Sequence, residues 1–218
     1  MTREQSKKLK SLKKLLTNEL KQRCKKDGLK YSYDTLYRFE GDFVYYAFPD
    51  IFYSQSSGKL SASLTFFIKP WILNETFWST QEMDMKEMLS QPKTFHFRGA
   101  FTIKDIHYSS ASYPLSEDKD DNDTAAEAAK LLSEKFSELI NDNNKRLTDV
   151  SVILDDTEGY NIHTLTKAIA HIYLNKDYRQ ALKLLTDNEP NSGQYGQFCG
   201  GKSAEELTAE YCKNMLSR

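Results

Sequence analysis

The segment Gly196-Gln197-Phe198-Cys199-Gly200-Gly201-Lys202-Ser203 has the spacing of a phosphate-binding loop. In such a loop backbone N–H groups cradle phosphate, the Lys (Lys202) neutralises it and the Ser (Ser203) meets Mg²⁺. That chemistry needs a buried strand to deliver the loop to a helix. Residues 188–195 read instead as a connection rich in Asn, Pro, Ser and Gly, and only 15 residues follow Ser203. The plainer reading is a Gly-rich loop ending in a Ser N-cap. The acidic run 117–123 invites a calcium reading. Aligned from Asp118, however, Asp123 stands where a calcium loop turns on Gly, and Ala129 where a bidentate Glu belongs. His96, His107, His163 and His171 show no HExxH spacing, and Cys24, Cys199 and Cys212 make no CxxC pair. No metal and no cofactor is expected. No nucleophile elbow or other local catalytic signature is present, so an enzyme would have to assemble a dispersed site.

Binding chemistry is better represented. Lys7, Lys10, Lys14, Lys21 and Lys25 lie in a basic segment that could follow the phosphates of a nucleic acid. Phe97–Ile103 distantly echoes the strand on which RNA-recognition sheets stack bases, but its spacing is one residue off and its Phe residues share the side assigned to the core. Tyr45, Tyr46, Tyr53, Trp71 and Trp78 are candidates for a protein-binding surface, because rigid aromatics dominate interface hot spots. Core packing is the alternative for at least half of them.

Three aromatic zones position these residues. Residues 1–30 have no aromatics, residues 31–113 hold 20 and residues 114–218 hold seven, which reads as helix, then sheet, then helices. Leu9, Leu12, Leu16, Leu20 and Cys24 recur at helical steps, so residues 3–26 are predicted helical, ended by Gly28. Leu36–Glu40 and Phe43–Phe48 flank Gly41-Asp42, a two-residue hairpin signal. Pro49-Asp50 is expected to interrupt the run before Ile51–Ser54. Leu60–Lys69 alternates, with Leu60, Ala62, Leu64, Phe66 and Ile68 inward, Lys69 outward and Phe67 the exception. Thr94–Lys104 alternates as well, with Phe95, Phe97, Phe101 and Ile103 inward and His96 outward, and is predicted to be a strand. Ser79 and Glu82 are expected to cap a helix over about 80–90, stopped by Pro92. Further helices are expected over about 124–143, capped by Thr124 and Glu127, over 161–175 and 178–187, and from Ser203-x-x-Glu206 to about Leu216. Thr148–Leu154 fits either a short strand or a helix start.

The net charge is −1, unevenly placed. Residues 1–30 carry eleven Lys and Arg against Glu4, Glu19 and Asp27, a surplus of +8, and the remaining residues carry −9. A basic helix lying on an acidic body explains this, and so does a nucleic-acid arm. The acidic remainder speaks against the arm by repulsion. No stretch is apolar enough to span a bilayer and no secretory h-region is seen, so no membrane is expected and a reducing cytoplasm is the expected compartment.

Residues Ala168–Leu185, with the Asp177-Tyr178-x-x-Ala181-Leu182 start of a second helix, resemble one tetratricopeptide hairpin. Lys176 stands in place of the usual turn Gly, and the early Trp and Gly of that family are missing. A self-stable solenoid needs about three units, so a single packed hairpin is implied. The order of basic helix, Gly28-Leu29-Lys30, Leu36-Tyr37-Arg38-Phe39 opening a sheet, and trailing helices is similar to a group of uncharacterised bacterial proteins. Some of these lie among proteins assigned to toxin immunity. That likeness implies a compact cytoplasmic binding protein and carries no catalytic residues. The expectation is an α+β protein: residues 1–113 as N-terminal helix plus antiparallel sheet and 124–218 as a helical lobe, at a length compatible with one continuous domain. Its expected role is non-catalytic binding of a basic protein partner through an acidic or aromatic surface. Its oligomeric state is not legible in the sequence.

Overall fold

In the computed structural model the two-residue period of Leu60–Lys69 holds: Leu60, Ala62, Leu64, Phe66 and Ile68 are all buried. The structure describes residues 2–99, 101–116, 118–155, 158–187 and 201–218. The fold is α+β. Strands β1 (Lys30–Ser32), β2 (Thr35–Glu40), β3 (Phe43–Tyr53), β4 (Leu60–Lys69) and β5 (His107–Pro114) form one antiparallel sheet in chain order. The helices are α1 (Arg3–Asp27), α2 (Asn74–Thr80), α3 (Met85–Ser90), α4 (Phe95–Arg98), α5 (Asp121–Asn144), α6 (Thr164–Asn175), α7 (Tyr178–Asp187) and α8 (Ala204–Leu216).

Two compact units emerge. One comprises Met1–Glu40, Tyr45–Ile68 and Tyr108–Arg146, the other Gly41–Val44, Lys69–His107 and Leu147–Arg218. In the first, α1 buries Leu12, Leu16, Leu20 and Cys24 and packs along α5, which is capped by Asp120 rather than by Thr124. Gly28 closes α1 at φ 67°, where only a residue without Cβ is unstrained. Phe136 of α5 meets Phe66 edge-on at 5.9 Å, and Phe66 stacks on Tyr45 at 6.2 Å, so α5 meets the sheet on the side that β4 buries. The expected interruption at Pro49 is absent, because β3 runs through it. Strand β3, at eleven residues, is longer than its six-residue neighbour β2 and continues through Pro49. Strand β5, with its Ser-rich, weakly alternating sequence, was not anticipated.

The second unit overturns two expectations. Thr94–Lys104 is not a strand. It makes the single turn α4 and then a bend. Phe97 is buried, but Phe101, expected inward, is 45% exposed, and His96, expected outward, is half-buried with Nε2 3.1 Å from the Met88 carbonyl. Side chains replace a strand partner here. Lys69 Nζ donates to the Phe97 carbonyl at 2.6 Å, the Asn74 amide donates to the His96 carbonyl at 2.6 Å, and Trp78 Nε1 donates to the Phe101 carbonyl at 2.7 Å. The Ile103 N–H in turn donates to Asn74 Oδ1 at 3.0 Å. These side chains satisfy backbone groups that a neighbouring strand would otherwise have to pair. The helix expected over about 80–90 is also two elements. Ser79 lies inside α2, its hydroxyl donating to the Glu75 carbonyl, and Asp84 caps α3 by accepting from the Lys86 and Glu87 N–H groups. Helices α6, α7 and α8 match expectation, and α8 starts with a capping box between Ser203 and Glu206. Val150–Leu154 is a short 3-10 helix.

A Cβ at Gly99 would stand 2.7 Å from the Phe95 carbonyl oxygen. Gly99→Ala is therefore expected to displace α4 and lower stability by about 1–3 kcal/mol, read by urea denaturation.

Candidate functional site

Alternation that buries Phe66 must send Phe67 to the other side of the sheet. There Phe67 stacks on Tyr46 at 5.0 Å with the rings 11° apart, and meets Phe48 at 5.6 Å and Tyr108 of β5 at 5.3 Å. Tyr46 and Phe48 touch edge-on at 5.9 Å, as do Tyr37 and Phe39 of β2 at 6.1 Å. Leu36 is buried, so alternation places Tyr37 and Phe39 on the opposite side from it. The result is an aromatic face across β2 to β5. Tyr46 is sunk beneath its neighbours, while Phe48, Phe67, Tyr37 and Phe39 are half-buried and Tyr108 is 63% exposed.

Among the described residues the face ends at an edge strand that no further strand covers; only its start is met by residues 159–161, the Asn161 N–H donating to the Ile106 carbonyl at 2.8 Å and His107 Nδ1 lying 3.2 Å from the Gly159 carbonyl. Strand β5 pairs with β4 on one side, the Leu115 N–H beyond its end donating to the Leu60 carbonyl at 3.0 Å, and it is the last strand of the sheet. Its eight residues, His-Tyr-Ser-Ser-Ala-Ser-Tyr-Pro, include no Asp, Glu, Lys or Arg. Ser110, Ala111 and Ser112 are exposed in succession, so both sides of the strand are open at its middle. Lys, Pro and bulges normally guard such an edge. Here the proline stands at the last position.

The five sequence-predicted aromatic residues separate. Tyr45 is fully buried against Phe66, and Trp78 is 1% exposed with its N–H donated to the Phe101 carbonyl. Both are core side chains, the alternative expected for at least half of the five. Tyr46 belongs to the aromatic face from below. Tyr53 and Trp71 are half-buried, and Trp71 Nε1 donates to the Gly41 carbonyl at 3.1 Å. Phe48, Phe67 and Tyr108 were missed, although Phe67 breaking the alternation of β4 was the available signal. Lys7, Lys10, Lys14, Lys21 and Lys25 are all exposed on α1. Lys202 pairs with both carboxylate oxygens of Glu210, at 2.7 and 2.6 Å, and the Ser203 hydroxyl accepts from the Glu206 N–H. Residues 196–200 of the phosphate-loop pattern, and Cys199 with them, lie outside the described residues.

The most perturbed amine is Lys69, expected outward but only 4% exposed. Its Nζ donates to the Phe97 carbonyl and to Thr102 Oγ1 at 2.8 Å, and Asp105 lies 3.8 Å away. Burial pulls its pKa from 10.5 down to about 8, against the opposing pull of Asp105. An amine with its donors spent in this way ties loop to strand. His163, at the N-cap position of α6, is likewise held below its ordinary value by burial and then by Lys104. Cys24 and Cys212 are raised to about 11, in both cases chiefly by burial. Among the described residues no group of three His, Cys, Asp or Glu side chains is placed to hold a metal, and no helix is long and apolar enough to cross a membrane. No protein-family model, curated protein or solved structure matches the chain.

Two outcomes are expected. Unfolded Lys69 keeps its proton up to about 10.5 while the folded residue loses it near 8, so the cost of the buried charge is present in full below pH 8 and lifts between pH 8 and 10.5. Over that window the stability of the wild type minus that of Lys69→Met should rise with pH in urea titrations, the contributions of the two thiols cancelling. Cys24 and Cys212 should resist a thiol-specific disulfide reagent at pH 8 until denaturant is added.

Proposed function

We propose that this chain is a protein-interaction module that takes up an extended segment of a partner protein along the edge of β5, anchored on the aromatic face beside it. The observation that supports the reading is the conjunction of an eight-residue edge strand without a charged side chain and the Phe67–Tyr108 contact that brings the aromatic face up to it. An added strand is held by main-chain hydrogen bonds, and pockets for alternate side chains supply selectivity. Asp118, Asp120 and Asp123, exposed just past the end of β5, favour a partner with a basic side chain near that end. The immunity-like role suggested by the resemblance is one form of this reading, in which the added segment belongs to a toxin.

Selection from a random peptide display library on the immobilised protein tests it. The expected peptides are extended, with alternating apolar residues and a terminal Lys or Arg. Tyr108→Ala and Ala111→Pro should each weaken them at least about tenfold at unchanged far-UV circular dichroism, a loss of about 1.4 kcal/mol. Peptides indifferent to both substitutions would refute the reading. So would a concentration-dependent dimer abolished by Ala111→Pro, which would assign the edge to a second copy of the chain.

A further inference from the structure

Helix α1 separates its charges by function. Arg3, Lys7, Lys10, Lys14, Lys21 and Lys25 follow one another at steps of three, four or seven residues, with the neutral Asn18 filling the long step. At 3.6 residues per turn they fall within about 60° of arc and run for about 33 Å along the helix. All six are exposed, and among the described residues none of them forms an ion pair. The basic residues that do pair with the body lie off this line: Lys8 is 3.8 Å from Asp121 and Lys13 is 2.8 Å from Asp50. Glu4, Glu19 and Asp27, the acids of α1, also fall outside the arc. Salt bridges to the body therefore explain two of the basic residues and leave a straight, unneutralised ridge.

We infer that this ridge is a binding surface for the phosphate backbone of a nucleic acid, without base specificity. A row of ammonium groups on a rigid helix matches a regular row of phosphates and gains affinity by releasing condensed counterions. An anionic membrane fits less well. A helix lying on lipid inserts its apolar face, and here Leu12, Leu16 and Leu20 are already buried in the protein. The acidic remainder of the chain does not cancel the ridge. At physiological salt the screening length is about 8 Å, shorter than the ridge, so phosphates in contact with it feel the lysines more than distant carboxylates. The inference is independent of the reading of β5, which concerns another surface.

The test is fluorescence anisotropy with a labelled mixed-sequence 20-base-pair DNA duplex, from 20 to 200 mM salt. Binding near the micromolar range at the low end is expected, with a log–log salt slope approaching about −5 if all six charges engage. The triple variant Lys7→Glu, Lys14→Glu, Lys21→Glu should weaken binding at least about tenfold at low salt and flatten the slope. The variant Lys59→Glu, Lys86→Glu, Lys213→Glu makes the same change in net charge at exposed sites elsewhere and should stay within about threefold of the wild type. Absence of salt-sensitive binding, equal loss in both triple variants, or binding to phosphatidylserine vesicles but not to DNA would each overturn the inference. Thermal unfolding of both variants checks that a loss is not a folding defect.

Discussion

The two sides of β4 cannot be chosen independently, and much of the first unit follows from that. Burying Leu60, Ala62, Leu64, Phe66 and Ile68 on the side where Phe66 meets Phe136 of α5 consigns Ser61, Ser63, Thr65 and Phe67 to the opposite side. A one-residue slip would exchange the two sets and expose five apolar side chains, at a cost of about 1.5–3 kcal/mol for each large one. Register is therefore firm, and with it the position of Phe67. That single ring organises the aromatic face, since Tyr46, Phe48 and Tyr108 all touch it. The same ladder places β5 at the end of the sheet, with its open side outward.

Helix α1 obeys the same logic with a different period. Its leucines and Cys24 bury one stripe and fix the rotation of the helix, and this rotation decides which lysines meet Asp121 and Asp50 and which stay free. The surplus of positive charge thus divides into a part spent on the body and a part held in solvent. An even scatter of basic residues would have produced neither arrangement cleanly.

The second unit rests on a different device. Lys69, Asn74 and Trp78 reach the backbone of residues 96–103 with their side chains and satisfy it without a neighbouring strand. For this reason the alternation of Thr94–Lys104 misleads: the apolar beat is present, but the backbone partners come from a strand end and from α2. The Ser79/Glu82 pattern fails for a related reason. A capping box is recognised by spacing, yet α2 had already begun at Asn74, leaving Asp84 to start the next helix. Where the pattern coincided with the start of the helix, as at Ser203 and Glu206, spacing sufficed.

The sequence by itself determined the elements whose pattern is local and repeated: α1 with its leucine stripe and Gly28, the hairpin at Gly41-Asp42, β4, and helices α5 to α8. Each is set by a periodicity of side chains along a short run of chain, which needs no knowledge of distant partners. It also located the basic residues, but not which of them the body neutralises. Only the tertiary structure decided that Tyr45 and Trp78 are core, that Lys69 is buried, that 94–104 bends, and that a Ser-rich run becomes the open edge β5. Those outcomes depend on which groups meet across tens of residues, and burial and hydrogen-bond satisfaction are properties of such meetings rather than of the residues alone.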